Sequence, residues 1–134
     1  MLVDAGFLVA LLSRRDADHR WAATQAPRLP PPWKSCDAAL SLSEAFYLLG
    51  TRGAPGLAGL LRRRAVVSEF RLGDEVEKVL ALMQKYAELP MSLADACLAR
   101  MSEALTDPIL LTTDTDFRIY RRHGRQTVPS VMPR

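Results

Sequence analysis

The sequence predicts an α/β protein, a three-layer α/β/α sandwich around a central, mainly parallel sheet. Three observations lead there. Short aliphatic runs at Met1–Asp4, Ala65–Ser68 and Ile109–Thr112 read as strands, as does the short segment Trp33–Cys36, and stretches of helical period separate them. Strands alternating with helices imply parallel βαβ units with right-handed crossovers, which lay helices on both faces of the sheet. Finally, four carboxylates, Asp4, Glu44, Asp95 and Asp114, each stand alone in an uncharged stretch, where a strand ends or a helix begins.

Met1–Asp4 is the first strand and Ala5–Leu12 a helix apolar almost all round. Asp16–Ala26 is a more polar helix that stops before Pro27–Pro32, a surface connection. Trp33–Cys36 is the second strand, and a helix from about Leu42 to Leu49 ends near Gly50. Gly50, Gly53, Gly56 and Gly59 lack the GK[ST] ending of a phosphate loop and read as a flexible link into a helix ending at Arg62–Arg64. Ala65–Ser68 is the third strand. Asp74–Tyr86 is an amphipathic helix with Val76, Val79, Leu80 and Met83 on one face, and Ser92–Leu105 a helix with Leu93, Cys97, Met101 and Leu105 on another. Ile109–Thr112 is a strand, Asp114 opens a short helix to about Tyr120, and Thr127–Val131 is a last strand.

With 134 residues, 49% of them hydrophobic, the chain suits one domain, residues 1–134. No apolar run approaches the roughly 20 residues of a membrane span, and no signal-peptide pattern opens the chain, so a cytoplasmic protein is expected. Cys36 and Cys97 have no CxxC spacing and read as small buried hydrophobes. His19 and His123 sit in polar surroundings without a GxSxG or HExxH pattern, which removes support for serine-triad and zinc-protease chemistry. The net charge is +3, mostly from arginine, with clusters at Arg62–Arg64 and at Arg118, Arg121, Arg122 and Arg125. Guanidinium groups suit phosphate contact, so a polyanionic partner is expected of such clusters, against the alternative of a solvated face for either one.

The rival account of the acids is helix capping. Ser41-x-x-Glu44, Ser92-x-x-Asp95 and Thr113-x-x-Asp116 all match the capping box. As a group they fit a site better, because parallel strands bring their carboxyl ends, and the helix N-termini that follow, to one edge where ligands bind. Carboxylates gathered there repel and raise one another's pKa unless a cation neutralises them. An all-oxygen set without Cys or His suits Mg²⁺ or Mn²⁺.

LVDAGFLVALL, SLSEAFYLL, SLADACLA and LLTTDTDF, in this order, resemble the acid-bearing segments of the PIN-domain ribonucleases, and within them the VapC-type toxins of toxin–antitoxin pairs. The resemblance covers the whole chain. It implies a PIN-like fold and a Mg²⁺- or Mn²⁺-dependent endoribonuclease with catalytic Asp4, Glu44, Asp95 and Asp114. Asp4, Asp95 and Asp114 become the direct or water-mediated metal ligands, with Asp116 auxiliary and Thr112 and Thr113 as supporting hydroxyls. It also implies an RNA substrate, a cognate antitoxin and a homodimer. The chain departs from the family at Ala5 and Gly6, where many relatives carry a hydroxyl after the first Asp. A housekeeping RNA-processing nuclease and a catalytically silent RNA- or protein-binding module are the alternatives. A phosphotransfer protein of haloacid-dehalogenase type is disfavoured by Gly6, where its second Asp would stand.

Overall fold

The structure is a computed structural model that describes residues 1–35, 41–89, 91–105 and 108–134. Strand β1 (Leu2–Val3) lies at the centre of a five-stranded sheet with β2 (Trp33–Ser35), β3 (Val66–Ser68), β4 (Leu110–Leu111) and β7 (Ser130–Val131), in the order β3-β2-β1-β4-β7. Every pairing in this sheet is parallel, with Leu2 opposite both Lys34 and Leu110, and Val3 opposite Leu111.

Two-residue strands suffice because successive side chains point to opposite faces. Val3 and Leu111 enter a core shared with helices α1 (Ala5–Leu12), α2 (His19–Gln25) and α3 (Ser43–Arg62). Leu2 and Leu110 enter the opposite core, against α4 (Leu72–Lys85) and α5 (Leu93–Ala104). All four are fully buried, contributing roughly 1.5–3 kcal/mol each. The layer order is therefore helix, sheet, helix. Phe7 anchors the first core by edge-on contacts with Trp21 and Trp33, at centroid distances of 5.8 and 5.6 Å.

Several elements differ from the sequence expectation. The glycine-rich stretch after Gly50 is helical: α3 kinks at Gly50 (φ 62, ψ −163) and resumes at once, carrying Pro55. Gly56 leaves room for Leu12 of α1 to approach to 3.1 Å of where its Cβ would stand, so tertiary packing overrides the low helix propensity of this segment. The second helix is shorter than expected, and a 3₁₀ turn at Ala26–Arg28 takes in Pro27, which fits a first helical turn where no N–H is needed. On α4 the buried position is Val79, while Val76 and Leu80 are 38% and 49% exposed; the expected face is rotated toward Leu72, Leu82 and Met83. Glu75 pairs there with Arg100 of α5 at 2.8 Å.

The segment after Asp114 is a 3₁₀ helix, Thr115–Arg118. The expected strand Thr127–Val131 is two strands separated by Val128–Pro129: Ser130–Val131 joins the sheet, and β6 (Gln126–Thr127) forms an antiparallel hairpin with β5 (Arg121–Arg122). Cys97 is a buried thiol outside any disulfide, as expected; Cys36 lies outside the described residues. Among the described residues no helix is long and apolar enough to cross a membrane.

Candidate metal centre

At the carboxyl edge of the sheet, β1 runs into Asp4 and β4 into Thr112 and Asp114. Asp4 is the N-cap of α1: its Oδ1 accepts a hydrogen bond from the Phe7 N–H at 2.7 Å. The Asp4 N–H is in turn held by the Leu111 carbonyl at 3.2 Å, which ties the two strand ends together. Thr112, fully buried, links the two acids. Its hydroxyl donates to Asp4 Oδ2 and accepts the Asp114 N–H at 2.9 Å. Asp114 caps the following 3₁₀ helix by accepting from the Asp116 N–H at 2.9 Å, so the cap here is Asp114 rather than Thr113.

Asp95 comes from the opposite layer, in the first turn of α5. Ser92 caps this helix by accepting the Asp95 N–H at 3.0 Å. Glu44 comes from the first turn of α3 and is exposed. Leu42 holds the N-cap position of α3 and makes no side-chain cap bond of its own.

Asp4, Glu44, Asp95 and Asp114 line one cleft of about 600 Å³, with Gly6, Ser41, Ser92 and Thr113 among its other walls. Among the described residues its lining contains four acids and no Lys, Arg or His. Asp116 is absent from this lining, yet its charge still acts on Asp95. Burial drives the Asp4 carboxyl up from 3.8 to about 6, with Asp114 and Asp95 adding to it while the Thr112 and Phe7 hydrogen bonds oppose it. Asp95 rises from 3.8 to about 6 as well, through burial and then the charge of Asp114, against the pull of Ser92. The buried Tyr120 hydroxyl lies near Asp95 without a fully formed hydrogen bond; burial first, then Asp95, pushes it upward.

These residues fit a hard divalent cation. A cleft of oxygen donors with surplus negative charge and no cationic side chain in its wall lacks a counter-ion. Among the described residues no three His, Cys, Asp or Glu side chains close on one point as a finished cage. That is compatible with an ion that keeps several waters and meets the protein through a few carboxylates. A smaller hollow of about 200 Å³, beside Phe70, Met101 and Leu105, has its charges already matched in the Glu75–Arg100 pair.

The profile of the PIN domain family matches residues 1–122. The chain belongs to the PIN domain family. Among solved structures, this PIN-domain chain is similar to VapC20 of Mycobacterium tuberculosis, described as a toxin that cleaves the sarcin–ricin loop, with a TM-score of 0.75 and 24% identity over 86% of this chain and 90% of that one. No curated protein matches it by sequence.

The expected arginines divide by structure. Arg121 Nη1 donates to the carbonyls of Arg118, Ile119 and Tyr120, closing the 3₁₀ turn. Arg122 Nη2 donates to the Ser102 and Leu105 carbonyls at 2.6 and 3.1 Å, at the C-terminal end of α5. Their guanidinium groups are engaged in holding the fold. Arg118 and Arg125 are exposed and make no side-chain hydrogen bond or ion pair with the described residues. Arg62–Arg64 end α3 and lead into β3, so they sit at the amino edge of the parallel sheet, opposite the acids.

Proposed function

We propose that this PIN domain, one unit over residues 1–134, is a Mg²⁺- or Mn²⁺-dependent endoribonuclease. The observation that carries the reading is the cleft uniting Asp4, Glu44, Asp95 and Asp114 with no cationic side chain in its wall. Asp4, Asp95 and Asp114 would hold the metal, with Asp116 behind them. The bound cation supplies a water of lowered pKa and charge stabilisation for a phosphodiester under in-line attack.

The chain's own residues do the rest. Thr112 and the Phe7 N–H hold both Asp4 oxygens in place, each oxygen keeping a further lone pair for a ligand. Glu44, exposed at the cleft, would take up the proton that the attacking water releases. Arg118 and Arg125 would contact the RNA backbone, positioning a strand without reading its sequence.

The toxin of a toxin–antitoxin pair is the specific form of this proposal. The likeness to VapC20 supports it, and makes a looped RNA such as the sarcin–ricin loop the first substrate to test. It carries with it a cytoplasmic site of action, a cognate antitoxin and a homodimer. Asp4→Asn and Asp95→Asn should each abolish Mg²⁺-dependent RNA cleavage with folding intact. Undiminished cleavage by both would sink the site. Growth arrest on expression, relieved by Asp95→Asn, would separate a toxin from a housekeeping nuclease.

A further inference from the structure

Gly6 follows the first acid of the cleft by two residues, and space decides its identity. A Cβ built on it would stand 2.4 Å from Thr113 Oγ1 and 3.4 Å from Asp4 Oδ1. The Thr113 hydroxyl therefore occupies the volume that any side chain at residue 6 would need. Both residues line the acidic cleft. Thr113 is partly exposed and makes no side-chain hydrogen bond to the described residues, so its hydroxyl is open to whatever enters.

The backbone on both sides of Thr113 is fixed. The Thr112 N–H is bonded to the Val131 carbonyl at 3.2 Å and the Asp114 N–H to Thr112 Oγ1 at 2.9 Å. A β-branched side chain on a fixed backbone has few rotamers to choose among, so the hydroxyl is held ready. Its chemistry complements the cleft. Ionised carboxylates only accept hydrogen bonds, and so do the non-bridging oxygens of a phosphodiester. An anionic substrate among four acids needs donors as well as a cation, and a neutral hydroxyl donates without competing for the metal.

We propose that Thr113 Oγ1 is a substrate-binding hydroxyl that donates to a non-bridging phosphate oxygen in the acidic cleft, and that residue 6 is glycine because a side chain there would displace it. This rests on the nuclease reading above. It also accounts for Ala5 and Gly6: the hydroxyl missing after the first acid is supplied from the other side of the cleft, by the residue before the fourth.

The test compares single-turnover RNA cleavage and Mn²⁺ affinity, the latter by electron paramagnetic resonance. Thr113→Val keeps the shape and removes the donor; kcat/KM should fall about 10- to 100-fold, the value of one hydrogen bond to a charged group, with Mn²⁺ affinity held within about twofold. Thr113→Ser should recover most of the loss. Gly6→Ala should turn the threonine out and lose activity comparably. Gly6→Ser combined with Thr113→Ala should regain activity over Thr113→Ala alone, since Thr113 Cβ lies 3.7 Å from the added Cβ and the new hydroxyl has room.

Wild-type cleavage by Thr113→Val, equal damage from Thr113→Val and Thr113→Ser, or no gain in the double variant each overturns the proposal, whether or not Gly6→Ala folds. A Thr113→Val loss traced wholly to weaker Mn²⁺ binding overturns it too. A wild-type chain that cleaves no RNA overturns the nuclease reading and this proposal with it, which distinguishes the two failures.

Discussion

Asp4→Asn should stabilise the metal-free protein at neutral pH while it destroys the site. Burial pushes the Asp4 carboxyl from 3.8 to about 6, with Asp114 and Asp95 adding to the rise. An acid raised on folding opposes folding whenever it is ionised in the native state: the penalty is complete above about pH 6, shrinks as pH falls through 6, and is gone below 3.8. At 1.36 kcal/mol per pKa unit the full penalty is about 3 kcal/mol. Asparagine keeps the shape and can still accept from the Phe7 N–H. Its amide then faces Thr112 Oγ1, a rearrangement that costs roughly 1 kcal/mol.

The expected gain is therefore about 2 kcal/mol at pH 7.5, falling toward zero or reversing near pH 4.5. Urea unfolding of both proteins in EDTA at the two pH values measures it. The difference between the curves removes shared contributions such as Glu75, whose bond to Arg100 shifts it downward. Saturating Mn²⁺ should reverse the order at pH 7.5, because a ligand at a hundred times its Kd stabilises only the protein that binds it, by about 2.7 kcal/mol. A variant less stable than wild type in EDTA at pH 7.5, or a difference independent of pH, would refute the reasoning.

Four further outcomes follow from the structure. Arg122→Ala should lower urea stability by about 1–3 kcal/mol, because it strips two carbonyls at the end of α5 of their donor, whereas Arg118→Ala with Arg125→Ala should leave stability alone and reduce the salt dependence of RNA binding. Gly50→Ala should cost about 1–3 kcal/mol in the same assay, since φ 62 with ψ −163 is a conformation that essentially only glycine adopts; an unchanged midpoint would mean that the kink is not needed. Tyr120→Phe should be neutral or stabilising by up to about 1 kcal/mol, as it deletes a buried hydroxyl without a full partner, and a clear loss would show a real bond to Asp95.

Asp4, Glu44 and Asp95 were legible because an isolated charge in apolar company is conspicuous, and Asp114 because strand ends in a parallel sheet share an edge. Leu2–Val3 and Leu110–Leu111 were legible for the same reason, as apolar runs between clear breaks. What the sequence hid depended on partners far along the chain. The glycines after Gly50 looked like a link until α1 packed against them, and the exposed Val76 and Leu80 looked like core because helical period identifies a stripe without showing what covers it. Composition likewise does not reveal that backbone carbonyls already hold one guanidinium nitrogen each of Arg121 and Arg122. The closeness of Gly6 and Thr113 is a contact between residues over a hundred positions apart, which no local pattern encodes.

Capping and metal binding were competing explanations of the acids, and the two are compatible at one position. Asp4 and Asp114 are N-caps, and Asp95 lies in the first turn of a helix whose cap is Ser92. A helix N-terminus offers N–H donors and a partial positive charge, worth typically 0.3–1 kcal/mol to a nearby carboxylate. If capping were the whole explanation, those donors would hold the acids at or below their ordinary range, as the Phe7 and Thr112 bonds by themselves would do for Asp4. Instead burial and neighbouring acids outweigh them, and both Asp4 and Asp95 end near 6. The caps orient the carboxylates and leave most of their charge uncompensated. That unmatched charge, collected from three helices and two strand ends into one cleft, is what a divalent cation would neutralise.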